Sequence, residues 1–112
     1  MLTNDGCPRN MLAIKDALEV VDGKWKLLIL IALSEENRRF TEIARELPGI
    51  SDKMLSKELK ALEVNRLIER TVSDESSTAV EYSITPHGRS LERVMKELYN
   101  WGMDHRKEII GE

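Results

Sequence analysis

The junction Leu47-Pro48-Gly49-Ile50-Ser51 constrains the fold of this chain more than any other feature. Proline followed by glycine forces a tight turn. Short segments of helical apolar spacing lie on both sides of it. Thr41 to Leu47 carries Ile43, Ala44 and Leu47 inward, with Thr41 as the expected N-cap. Ser51 is expected to cap a longer helix that runs to about Asn65. Two helices across so short a turn are a helix-turn-helix.

The second helix has two faces. At about 100° per residue, Leu55, Leu59 and Leu62 fall within roughly 60° of one another and are predicted to face the core. Lys53, Lys57 and Lys60 gather on the opposite side, with Ser56 beside them. Taken alone, such a lysine stripe is most often an ordinary solvated face. Its setting gives it a second meaning, because a helix of this width fits the major groove of B-DNA. The amino-terminal residues of the second helix of a helix-turn-helix meet base edges. Here these are Ser51, Asp52, Lys53, Met54, Ser56 and Lys57. Lys53, Ser56 and Lys57 are the candidates for base contacts. Lys60, Arg38 and Arg39 are assigned mainly to phosphates, and the helix start at Thr41 to a further phosphate.

Elements on either side complete the pattern. Pro8 suits a helix start, and Met11 to Val21 has helical apolar spacing that ends at Asp22-Gly23. Lys24 to Leu33 follows, with Trp25 packed at its start; its run LLILIAL is apolar on nearly every side and is expected at the centre of the core. Arg38-Arg39-Phe40 reads as a very short strand with Phe40 inward. Ile68–Val72 and Ala79–Ile84 read as two strands joined by the polar loop 73–78. Thr85-Pro86 is a cap with proline at the first helical position, opening a last helix through Leu91, Val94, Met95, Leu98, Trp101, Met103 and Ile109. The fold class is therefore mainly α with a small β-hairpin. It is a winged helix-turn-helix of order α-α-β-α-α-β-β-α in one domain, 1–112, with an extra helix at each end.

Charge supports the central stretch as the nucleic-acid face. Residues 38–72 hold eight Lys/Arg against six Asp/Glu, a net of +2, while the segments before and after are net −2 and −3. The whole chain is at −3, which argues against bulk coating of nucleic acid. No apolar run approaches the ~20 residues of a membrane span, and no signal peptide is visible, so a cytoplasmic location and no membrane partner are expected. One cysteine, Cys7, cannot build an internal disulfide. His87 and His105 have no partner at metal-ligand spacing, and no phosphate loop or nucleophile elbow is present. No metal, cofactor or enzymatic activity is expected.

Cys7-Pro8, GKWKLLIL at 23–30, RRFTEI at 38–43, LPGISDKMLSKELKALE at 47–63, LIERTV at 67–72, VEYSITPHGRSL at 80–91 and Trp101-Gly102 occur in this order. Together they resemble the HxlR family of bacterial transcriptional regulators, within the broad MarR-like group, over nearly the whole chain. The resemblance implies a homodimer on a roughly palindromic double-stranded operator, controlling neighbouring genes, with the terminal helices at the dimer interface. On this chain that interface is Leu12, Leu18, Leu91, Val94, Leu98 and Trp101. Ser51, Lys53, Met54, Ser56 and Lys57 match the recognition helix, and Arg38 and Arg39 the basic pair before the short helix. In some members a cysteine at the place of Cys7 senses quinones, electrophiles or oxidants, and Arg9 with the helix start would favour the reactive thiolate here. Cys7 is therefore the sensor candidate, beside the reading of a reduced thiol packed near the interface; no effector is identified. One departure concerns the wing. Loop 73–78 carries Asp74 and Glu75 and no Lys or Arg, leaving Arg70 as the basic residue at its base. A wing so charged is expected to stand away from DNA, and the acidic balance keeps open a winged-helix protein-interaction module without a DNA target.

Overall fold

The computed structural model describes residues 8–72 and 80–111. Cys7 and the wing loop lie outside these residues. The elements are α1 (Pro8–Val20), α2 (Lys26–Glu35), α3 (Phe40–Glu46), α4 (Asp52–Val64), β1 (Ile68–Val72), β2 (Val80–Ile84), α5 (Pro86–Arg89) and α6 (Glu92–Ile110). β1 and β2 form an antiparallel ribbon in which Ile68 faces Ile84, Arg70 faces Tyr82 and Val72 faces Val80. This is the winged helix-turn-helix expected from the pattern, with local differences.

The first difference concerns the short strand at 38–40. It is reduced to one bridge, in which the Arg38 amide donates to the Tyr82 carbonyl at 3.1 Å and the Tyr82 amide donates back at 2.8 Å. Phe40 already begins α3, and Arg39 occupies its N-cap position. The cap expected from Thr41 is instead supplied by Glu42, whose carboxylate accepts from the Arg39 amide at 2.7 Å. Thr41 sits exposed in the first turn.

The second difference is a break in the last helix. Thr85 caps α5 as expected, its hydroxyl accepting from the Gly88 amide at 2.9 Å. The chain then interrupts at Ser90-Leu91 before α6 begins. α6 runs through Gly102 without interruption and ends at Gly111, which has φ 86°.

The core is built from Ile29, Leu30 and Leu33 of α2, Ile43 and Leu47 around α3, Leu55, Leu59 and Leu62 of α4, and Leu67, Ile68, Tyr82, Ile84 and Met95. Only one side of α2 reaches it. Leu28 and Ile31 remain exposed, at 41% and 43%. An apolar run on every side of a helix thus corresponds here to two faces, one buried and one open.

α4 is closed at both ends. Ser51 Oγ accepts from the Met54 amide at 3.0 Å. At the other end Arg66 adopts φ 61°, and the Leu67 and Arg66 amides donate to the carbonyls of Leu62 and Glu63. This is a Schellman ending with arginine where glycine is usual. Thr85 locks it by donating its hydroxyl to the Arg66 carbonyl at 2.7 Å.

Candidate nucleic-acid interface

The turn places α4 so that its leucines are spent on the core. Leu55, Leu59 and Leu62 are at 0%, 1% and 0% exposure, which fixes the rotation of the helix about its axis. Lys53, Ser56, Lys57 and Lys60 are all exposed on the outer side, with Ser51 at the capped end. Met54 is partly exposed at the edge of this stripe. Gly49 at φ 97° makes the reversal that brings α3 and α4 together. Arg39 and Thr41 are exposed at the start of α3, and Arg70 is exposed on β1.

Arg38 departs from the expected phosphate role. Its Nε donates to the Ala32 carbonyl at 2.9 Å, and its Nη2 lies 2.9 Å from Glu35, 3.6 Å from Glu46 and 4.0 Å from Glu36. The side chain is 13% exposed. Arg38 therefore ties the end of α2 to α3, with its charge already met by carboxylates. The i−3 spacing to Glu35 was visible in the sequence; the approach of Glu46 depends on the fold.

Nothing in the sequence pattern marks Glu58. It lies beside the leucine stripe and is buried, its Oε1 accepting from Lys26 Nζ at 3.0 Å. Lys26 also donates to the Asp22 carbonyl at 3.2 Å. This pair fastens the start of α2 to the middle of α4.

The residues expected at a dimer interface fall into two groups in the single chain. Leu12, Leu18, Val94, Leu98 and Trp101 are exposed, whereas Leu91 packs against the chain's own core. Among the described residues, no group of three or more His, Cys, Asp or Glu side chains is placed to hold a metal. None of the described helices is long and apolar enough to cross a membrane.

A capped helix with a buried leucine stripe and an outer lysine stripe, set across a tight turn and followed by a ribbon, defines a winged helix-turn-helix protein. The model of the HxlR-like helix-turn-helix family matches residues 20–109, and the chain belongs to this family of DNA-binding regulators. The HTH-type transcriptional regulator YtcD of Bacillus subtilis (strain 168) is 37% identical over 101 residues, covering 90% of this chain and 80% of YtcD. The redox regulator HypR in its reduced form superposes with a TM-score of 0.82 at 31% identity, covering 89% of this chain and 99% of HypR. Quinone-bound YodB from B. subtilis superposes with a TM-score of 0.71 at 33% identity, covering 88% of this chain and 99% of YodB.

Proposed function

We propose that this protein is a sequence-specific transcriptional regulator, a repressor acting as a homodimer on a roughly palindromic operator. The carrying observation is the exposed stripe Lys53, Lys57 and Lys60 on a helix whose opposite face is buried. Lys53, Ser56 and Lys57 read base edges; Ser51 and Met54 flank them. Lys60, Arg39, Thr41 and Arg70 serve phosphates. Arg38 is set aside from this face, since its guanidinium is held by Glu35 and Glu46.

Dimerisation is supported by open apolar surface on three helices. Leu12 and Leu18 of α1, Leu28 and Ile31 of α2, and Val94, Leu98 and Trp101 of α6 are all exposed. Burying such surface against a second copy is favourable at ~25 cal/mol per Å² of apolar area. Two-fold symmetry then sets half-site centres about one helical turn apart, or a multiple of it. Residues 1–112 act as one domain in the cytoplasm.

Cys7 is proposed as a sensor of oxidants or electrophiles. Solved structures of the similar proteins HypR and YodB include reduced and oxidised HypR and diamide-treated and quinone-bound YodB. Cys7 is the single cysteine of this chain, so a disulfide would join two copies or capture a small thiol.

A gel shift on promoter DNA flanking the gene, with and without diamide, tests both parts. The expected result is a discrete complex that dissociates at higher salt and responds to diamide in the natural protein but not in Cys7→Ser. An equal response in Cys7→Ser removes the sensor. Absence of any complex, together with a protein partner captured instead, favours the interaction-module reading.

A further inference from the structure

Lys24 lies outside α3 and α4, yet the fold brings it beside Met54 and Lys57 of α4. The chain reverses at Asp22-Gly23, with Gly23 at φ 89°, before α2 begins. The Lys26–Glu58 pair then draws this turn onto α4. A single groove results, lined by Asp22, Lys24, Trp25, Met54 and Lys57, with Lys26 and Glu58 paired in its wall. Lys57 belongs to the outer stripe of α4, so Lys24 shares a groove with a residue of the proposed reading face. On the helical wheel this is the Met54 edge of the stripe, opposite the Ser56 edge.

We propose that the turn between α1 and α2 is a second phosphate-binding element, in which Lys24 takes a DNA backbone phosphate beside the major groove entered by α4. This rests on the DNA-binding reading above and adds a residue which that reading does not contain. Three observations carry it. Lys24 Nζ stands 4.6 Å from the centroid of the Trp25 ring. A cation–π contact of this kind restrains the ammonium without neutralising it. Arg38 and Lys26, by contrast, are held by carboxylates.

The second observation is the charge of the groove. Lys24, Lys26 and Lys57 face Asp22 and Glu58, so the groove is positive by one charge, and neutral without Lys24. The third is the start of α2. Its first turn has no acidic residue, and Trp25 at the N-cap makes no side-chain capping bond. The helix's own first turn thus brings no carboxylate to offset Lys24, and the nearby Glu58 is paired with Lys26.

The test uses the full chain and a labelled duplex recovered by binding selection from random duplex DNA, with a scrambled duplex beside it. Affinity is measured across a salt series for the natural protein, Lys24→Gln and Lys24→Arg. One lost phosphate contact costs ~fivefold in affinity at 0.15 M salt and lowers the slope of log K against log salt by about one for each copy bound. Lys24→Gln is expected to show this loss equally on both duplexes, since a phosphate contact carries no sequence information. Lys24→Arg is expected to restore it. Unchanged affinity and slope in Lys24→Gln, while Lys57→Ala weakens binding, overturn this proposal and leave the DNA reading intact. Failure of the natural protein to bind any duplex overturns the DNA reading, and this proposal with it.

Discussion

Replacing Gly88 with alanine is expected to be among the most damaging single-methyl changes in the chain. A Cβ at this position would lie 2.2 Å from the Leu67 carbonyl oxygen and 2.7 Å from Ile84 Cγ1. The Ile84 side chain can shift, but the Leu67 oxygen cannot do so cheaply. That oxygen accepts from the Thr85 amide at 3.0 Å, and the Thr85 hydroxyl is 3.1 Å away. Relieving the clash means moving α5 away from the α4–β1 corner and breaking the lock that holds the end of α4. Overpacking of this kind costs about 3 kcal/mol. For a domain of this size, that lowers Tm by roughly 15 °C. Thermal unfolding followed by circular dichroism measures it, and a Tm within a few degrees of the natural protein would show that α5 can pivot freely.

Glu58→Ala is expected to have an effect of similar size by a different route. Lys26 and Glu58 are 12% and 7% exposed at their side chains and 3.0 Å apart. Removing the carboxylate leaves an ammonium near the core with one backbone acceptor, the Asp22 carbonyl. Breaking a pair this buried costs about 3 kcal/mol. Replacing both partners with apolar side chains, as in Lys26→Met with Glu58→Leu, removes the stranded charge as well as the attraction. The double variant is therefore expected to unfold in urea within about 1 kcal/mol of the natural protein. If Glu58→Ala is as stable as the double variant, the pair contributes little and the attachment of α2 to α4 is apolar.

The parts of the fold legible in the sequence are those governed by local chemistry. Ser51, the Pro48-Gly49 turn, the leucine stripe of α4, the limits of β1 and the Thr85-Pro86 start all act through neighbours within a few residues. The break at Ser90-Leu91 is different. Leu91, Val94, Met95 and Leu98 continue one helical pattern, and Ser90 and Leu91 keep near-helical dihedrals, leaving Gly88 and the Ser90 hydroxyl, which donates back to the His87 carbonyl, as the local marks. Just before the break Gly88 closely approaches Leu67, a contact between residues 21 positions apart. Glu58 was hidden for the same reason, because its partner is 32 positions away.

The candidate site was legible to a similar extent. Lysine spacing on α4 identified its outer face, and the buried leucines give that face its orientation. A basic pair before a helix-turn-helix suggests phosphate contacts, whereas the carboxylates of Glu35 and Glu46 converge on Arg38 only after folding. The place of Lys24 beside α4 depends on the Lys26–Glu58 pair, whose members are 32 positions apart. The apolar run of α2 reads as fully central, yet Leu28 and Ile31 are open. An all-round apolar helix in a small chain can indicate a second copy as well as a core.

On our proposal the outer face of α4 reads DNA. Fluorescence anisotropy on a labelled operator duplex and a scrambled one, comparing the natural protein with Lys53→Ala/Lys57→Ala, tests it most directly. Each base contact is worth ~1–3 kcal/mol of discrimination, so the double variant is predicted to lose at least about tenfold in operator affinity and most of its preference over the scrambled duplex. A double variant that is folded and binds the operator with natural affinity and selectivity would contradict the account.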